Sequence, residues 1–165
     1  MKTRAWLEVV LLITLISLLI PTTSFASSWI KLNPTDVVNR AEVIVLGTYD
    51  FAKSDGKMTG NGLWTAYKFN VEKYIRSSGN DTIDIGINPA DIQWAKEFQE
   101  KNGKFLLLLE KDSQNISLLV PVSGPNGMIQ SLDGKIQNQS SADAVIYSDL
   151  LKSIERRGTG QCYLS

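Results

Sequence analysis

The stretch GKFLLLLEKD, residues 103–112, holds five consecutive apolar residues between a turn and a group of charges. A half-buried strand alternates polar with apolar residues, whereas a short apolar run bounded by turns is typical of a strand buried on both faces. Asn102-Gly103 before the run and Asp112-Ser113 after it leave too little room for a helix of ordinary length. We therefore predict that residues 103–112 form the central strand of the fold.

Two strands are predicted upstream of this run from β-branched content and alternation. Residues 42–49 are rich in Val and Ile, and Gly47 within them predicts a bulge or a tight bend. Residues 63–72 alternate, which predicts that Leu63 and every second residue after it face the core, with Trp64 on the wetter face. The connection between these strands, residues 50–62, contains three glycines and is predicted to be an exposed loop.

Three further strand signals complete the predicted sheet. Residues 82–87 alternate with their isoleucines inward, and residues 116–122 form another strand after the central one. Residues 128–136 predict a hairpin that turns at Asp133-Gly134.

Helix starts are marked by capping residues. Asn33-Pro34 and Asn88-Pro89 each place a capping side chain before a proline at the first helical position. The second of these helices directly precedes the central strand. Ser140 caps a third helix, whose apolar stripe is predicted to dock on the sheet. The stripe consists of Ala142, Val145, Ile146, Leu150, Leu151 and Ile154.

The order of these elements predicts a mainly β fold with flanking helices. Coiled antiparallel strands with a helix inserted before the central strand are typical of a small Greek-key β-barrel of the oligonucleotide/oligosaccharide-binding (OB) type. The C-terminal helix is expected to pack on its sheet.

The N-terminus has the features of an export signal. Lys2 and Arg4 precede an apolar segment, and Ser24-Phe25-Ala26 places small residues at a cleavage site. The apolar segment of about twelve residues is shorter than the roughly twenty that span a bilayer. We expect residues 1–26 to be a cleaved signal peptide, residues 27–157 one domain, and residues 158–165 a flexible tail. The protein is thus expected to be secreted, without a stable membrane span.

Composition excludes several kinds of chemistry. The chain has no histidine and one cysteine, so neither Ser-His-Asp or Cys-His catalysis nor the usual His/Cys zinc site can be assembled. Its 17 basic and 17 acidic residues give no electrostatic footprint for nucleic acid. We expect a protein without a cofactor that is not an enzyme.

Several segments together resemble a known group of proteins. They are residues 36–38, 41–48, 67–74, 105–110 and 122–127. In these segments the chain resembles bacterial secreted proteins whose fold is similar to that of tissue inhibitors of metalloproteinases. The resemblance covers nearly all of the mature chain and implies a netrin-module-like OB barrel, in a superfamily that includes protease inhibitors and adhesion modules.

The chain differs from the animal inhibitors at its mature N-terminus. In those inhibitors this residue is a cysteine whose amine and carbonyl chelate the target's zinc, and disulfides hold it in place. Ser27 stands at that end here, and a single cysteine can form no internal disulfide. The resemblance therefore implies the barrel, without carrying over the zinc-chelating mechanism.

These observations predict an exported, non-enzymatic module that binds a protein or cell-envelope component, with protease inhibition among the activities that the resemblance implies. The candidate binding residues are Trp29, Tyr49, Trp64 and Asp55, the last within the loop of residues 50–62. Two alternatives remain open. A structural matrix component would self-associate, and a carboxylate-dependent hydrolase of cell-wall polymers or glycans would use acids beside core strands. Those acids are Glu72, Asp84 and Glu110.

Cys162 is the odd cysteine of an exported chain. Such a thiol either stays free or pairs between molecules. Because it follows Gly158 and Gly160 in a predicted tail, we expect a monomeric fold, with any dimer linked through Cys162.

Overall fold

The computed structural model describes residues 29–52, 58–59 and 62–158, with side chains up to residue 153. The predicted signal peptide, Asp55, the side chain of Ile154 and Cys162 lie outside the described residues. None of the described helices has the length and apolar character of a membrane span.

The described part of the chain contains eight strands and three α-helices. The strands are β1 (Val43–Asp50), β2 (Met58–Thr59), β3 (Trp64–Arg76), β4 (Thr82–Ile87), β5 (Lys104–Lys111), β6 (Leu119–Pro121), β7 (Met128–Leu132) and β8 (Lys135–Ile136). The helices are α1 (Pro34–Arg40), α2 (Ile92–Gln99) and α3 (Ser141–Gly158). Two short 3-10 helices, Pro89–Asp91 and Gly124–Gly127, complete the set.

Five strands close into a barrel of OB-like topology. Strand β1 pairs with β3, β3 with β4, β4 with β6, β6 with β5, and β5 again with β1. All of these pairs are antiparallel except β4–β6, which is parallel and consists of Ile85 opposite Leu119. The fold class predicted from the sequence is thus confirmed.

Strand β5 is the central strand, as predicted. Phe105 to Leu109 are all 0 % exposed. Phe105, Leu107 and Leu109 point into the barrel interior, whereas Leu106 and Leu108 pack on the other side of the sheet against α1 and α3. An apolar run without alternation is required here because both faces are covered.

The capping signals also act as predicted. Asn33 Oδ1 accepts a hydrogen bond from Thr35 N at 2.9 Å, and Asn88 Oδ1 accepts one from Ala90 N at 3.0 Å. Ser140 Oγ accepts one from Asp143 N at 3.2 Å at the start of α3. Each oxygen pairs a backbone N–H that has no partner within its helix.

Gly47 lies at the predicted bulge in β1. The register between β1 and β3 shifts between Leu46 and Gly47. A Cβ atom at Gly47 would lie 2.1 Å from the carbonyl oxygen of Asn70, so no other residue allows β3 to approach so closely here.

The lengths of two strands differ from the predictions. Strand β3 continues four residues past Glu72, because Arg76 at its end donates to the carbonyls of Val38 and Ala41 at 2.7 and 2.5 Å. Strand β6 covers only residues 119–121 of the predicted 116–122. The preceding residues instead form a turn, in which Asp112 accepts a hydrogen bond from Asn115 N.

The apolar stripe of α3 is rotated from the predicted position. Ala142 is exposed and the Val145 side chain is 58 % exposed. The buried anchor is Tyr147, which is 2 % exposed, and Leu150 and Leu151 pack beside it. The helix docks on the sheet as predicted, with its contact face centred on this aromatic ring.

Candidate functional site

Two of the predicted binding residues are buried. Trp64 is 4 % exposed and Tyr49 is 3 % exposed, whereas Trp29 is half-buried. The prediction that Trp64 lies on the wetter face is wrong. Trp64 does point out of the barrel, but the residues before α1 and the segment entering β6 cover it.

Trp29 and Trp64 form the centre of a small cluster on the outside of β3, β4 and β6. Their ring centroids lie 5.9 Å apart at an interplanar angle of 25°, and Leu118 and Val120 pack against them. Both indole N–H groups are buried, and neither has a hydrogen-bond partner among the described residues. A buried donor without a partner costs about 1–3 kcal/mol, so this cluster contains two unused donors.

Trp29 is held in place by the turn after β6. Gly124 adopts φ +62°, and a Cβ atom there would lie 2.4 Å from the Trp29 ring. Asn126 fixes the backbone beside it: its Oδ1 accepts from Leu32 N at 3.1 Å, and its Nδ2 donates to Ile30 O at 3.0 Å. The N-terminal residues 29–32 therefore form a strap across the tryptophan cluster.

Exposed apolar side chains occur on the segments around this cluster. Ile30 in the strap is 80 % exposed, and Ile116 in the β5–β6 connection is 77 % exposed. Leu63 and Met58, in the β1–β3 connection, are 43 % and 61 % exposed. We call Ile30, Leu63 and Ile116, together with Trp29 and Trp64, the tryptophan face. Met58 is not part of it, because it pairs with Thr65 across β2–β3 and therefore points to the opposite side of that ladder from Trp64.

Tyr49 lies at the end of the barrel that α2 closes. The Gln99 side chain pairs with the backbone of Tyr49 as a neighbouring strand would. Gln99 Oε1 accepts a hydrogen bond from Tyr49 N at 2.7 Å, and Gln99 Nε2 donates one to Tyr49 O at 2.9 Å. The Tyr49 hydroxyl and Asp91 Oδ2 are buried and have no hydrogen-bond partner among the described residues. Burial raises the pKa of Tyr49 well above its usual range, and the nearby Asp91 carboxylate raises it further. Burial also raises the pKa of Asp91.

The three acids of the hydrolase alternative lie in separate ion pairs. Glu72 contacts Lys104 at 2.5 Å, Asp84 contacts Lys68 at 2.9 Å, and Glu110 contacts Arg40 at 2.8 Å. Asp84 lies opposite Lys68, four residues from Glu72 along β3. That spacing is roughly 13 Å at the rise of a strand.

Glu110, the third of these acids, also lies far from Glu72. Glu110 lies six residues from Lys104, the partner of Glu72, along β5. This corresponds to roughly 20 Å. Paired carboxylates in glycosidases lie about 5–9.5 Å apart, so neither the Glu72–Asp84 nor the Glu72–Glu110 spacing matches such a pair.

No group of three or more His, Cys, Asp or Glu side chains in residues 29–52, 58–59 and 62–153 is arranged to hold a metal ion. The chain has no match among protein-family models, curated proteins or solved structures. The resemblance to proteins with a fold similar to metalloproteinase inhibitors therefore stays a prediction.

Sequence reasoning missed the residues that organise these sites. Gln99 and Asn126 act through backbone atoms about fifty and ninety-five positions away in the chain. Residues 123–127 are rich in turn-forming residues, but nothing in their pattern indicates that they hold the strap. The only signal was an amide side chain between two glycines, which is common in ordinary turns.

Proposed function

We propose that the protein is an exported, non-catalytic binding module that docks a protein partner on its tryptophan face. One observation carries the proposal: exposed apolar side chains flank a stacked tryptophan pair, on the side of the barrel where OB-type folds bind their ligands. In those folds the ligand contacts the second and third barrel strands and two adjoining connections. The corresponding parts here are β3, β4 and the connections that carry Leu63 and Ile116.

The chemistry of this face favours a protein over a charged polymer. Ile30, Leu63 and Ile116 offer apolar contact area, and the Trp29 indole of the strap stacks on the Trp64 indole. Apolar and aromatic groups of this kind are typical of the core of protein–protein interfaces. The signal-like N-terminus supports a partner outside the cytosol.

Photo-crosslinking from position 63 tests the proposal. The mature chain with a photoreactive residue in place of Leu63 is incubated with the secreted and envelope fractions of the native cells, and the crosslinked partner is identified by mass spectrometry. Affinity for the purified partner is then measured with Ile116→Glu. We expect at least about a tenfold loss, because a buried charge replaces an apolar contact.

Val145→Glu provides the matched control. Val145 is an exposed apolar residue on α3, outside the tryptophan face, and the substitution introduces the same charge. Binding by this variant should be unchanged. A partner that binds Ile116→Glu as tightly as the parent protein, or that is lost equally with Val145→Glu, would refute the proposed face. A captured protease would favour the inhibitory role that the resemblance implies.

A further inference from the structure

A basic groove lies between the sheet and α3, at a distance from the tryptophan face. It is a cavity of about 580 Å³, a size typical of ligand sites, and four lysines and two carboxylates line it. The lysines are Lys73, Lys104, Lys135 and Lys152, and the carboxylates belong to Glu72 and Asp133. The groove thus has a formal excess of two positive charges, although the whole chain is neutral.

The four lysines reach the groove from different elements. Lys73 lies on β3, Lys104 on β5, Lys135 on β8 and Lys152 on α3. These elements belong to both layers of the fold, so the lysines meet only in the folded chain. Their positions along the sequence do not reveal the cluster.

Lys104 and Lys152 form ion pairs of different length and exposure. Glu72 forms an ion pair with Lys104, whereas Lys152 contacts the exposed Asp149 at 3.8 Å. An exposed pair at this distance contributes little to stability and can readily be exchanged for another anion. An incoming carboxylate therefore replaces a weak contact at Lys152.

The groove also has an apolar floor. Leu46 of β1, Ile136 of β8 and Leu151 of α3 line the same cavity. A simple inorganic anion would leave these apolar side chains exposed to water. A peptide with both acidic and apolar side chains would contact the lysines and also cover the apolar floor. Lysines bind anions as flexible point charges without fixed bidentate geometry, which suits several carboxylates better than one oriented group.

We propose that this groove binds an acidic peptide segment, with its carboxylates on the lysines and an apolar side chain on the floor. The site is separate from the tryptophan face: Trp64 and Lys73 are nine residues apart on β3, roughly 30 Å at the rise of a strand. The proposal is independent of the proposed function, and either can fail without the other.

Fluorescence anisotropy with a labelled peptide of Glu and Leu tests the site. We expect binding by the mature protein that weakens as salt rises, because the contacts are solvent-accessible charge pairs. The double variant Lys135→Glu/Lys152→Glu should lower the affinity at least tenfold, since it reverses two of the four cations. Lys31→Glu is the matched control: Lys31 is 79 % exposed in the strap, and its variant should bind like the parent protein.

Three results would overturn the proposal. The first is equal binding of a matched peptide with Gln in place of every Glu, which would leave the lysines without a role. The second is displacement of the peptide by millimolar inorganic phosphate, which would assign the groove to a small anion. The third is unchanged binding by the double variant, provided that circular dichroism shows it to be folded.

Discussion

The side chain of Gln99 closes one end of the barrel by acting as a piece of β-strand. Its amide satisfies both the N–H and the C=O of Tyr49, whose side chain is buried beside Phe69 and Phe105. A primary amide presents a donor and an acceptor in nearly the same plane as a peptide group, so it can continue a ladder where no strand follows. This one residue joins α2 to β1.

We predict that Gln99→Ala lowers the free energy of unfolding by about 2 kcal/mol or more, because two buried backbone groups lose their partners. Gln99→Glu keeps the acceptor but turns a second oxygen toward Tyr49 O, and it should destabilise the fold as well. Gln93→Ala removes an exposed side-chain contact with Glu97 on the same helix and should change the value by less than about 0.5 kcal/mol. Urea unfolding followed by circular dichroism measures all three, and equal values for Gln99→Ala and Gln93→Ala would contradict the role of Gln99.

Asp91 makes the stability of the fold dependent on pH. Because burial raises its pKa in the folded protein, the folded state holds a proton that the unfolded chain loses near pH 3.9. As the pH rises from this value through the raised pKa, the folded state loses stability relative to the unfolded state. Below the unfolded pKa both states are protonated and Asp91 adds no pH dependence.

Asp91→Asn removes this titration, so the stability of the variant should rise relative to that of the parent between pH 4 and neutral pH. Melting temperatures of both proteins across this range give the difference as a function of pH. A difference that stays constant, or that changes in favour of the parent as the pH rises, would show that the Asp91 carboxyl is not destabilised by burial.

At the scale of elements, the strap is attached to the barrel by a small set of described contacts. Residues 29–32 pair with no strand, and their described backbone hydrogen bonds run to the side chain of Asn126. In addition, Trp29 stacks on Trp64, and its ring occupies the space that a side chain at position 124 would fill. The described backbone hydrogen bonds of the strap therefore depend on one amide, that of Asn126.

We predict that Asn126→Ala increases the rate of tryptic cleavage after Lys31 about tenfold, because the loss of these hydrogen bonds favours local opening by roughly 1–2 kcal/mol. Asn126→Asp keeps the acceptor for Leu32 N but loses the donor for Ile30 O. Its cleavage rate should therefore lie between those of the parent protein and Asn126→Ala. Mass spectrometry of timed digests gives the rates. Asn80→Ala, at an exposed position in the β3–β4 turn, should be cleaved like the parent, and the same rate for Asn126→Ala would show that other contacts hold the strap.

The elements that could be predicted are those whose determinants are local. The Asn-Pro caps, the bulge at Gly47 and the apolar run of β5 each contain their own signal within a few residues. Trp64 could not be placed in this way, since its cover comes from Trp29 and Leu118, which are distant in the sequence. The contact face of α3 was misplaced because an apolar stripe was judged from aliphatic residues alone, whereas the phenol ring of Tyr147 fills the space.

At the scale of the whole molecule, the barrel topology was predictable and the candidate sites were not. The strand order and the position of α2 follow from the sequence of elements. The tryptophan face and the basic groove are each formed by residues from several strands and loops. A short sequence motif cannot indicate a cluster of this kind. The groove is the clearer case, because its four lysines lie on four elements of a neutral chain.

The central strand has a second consequence, which concerns the chain before it folds. In a polypeptide that is still extended, Phe105 to Leu109 form an uncharged, β-prone segment that favours aggregation with other chains. Lys104 on one side and Glu110-Lys111 on the other are charged residues of the kind that hinder such association. In the folded barrel the same three residues form ion pairs with Glu72, Arg40 and Glu42. Exposed ion pairs contribute little to stability, so we expect that these charges matter most as gatekeepers before the chain has folded.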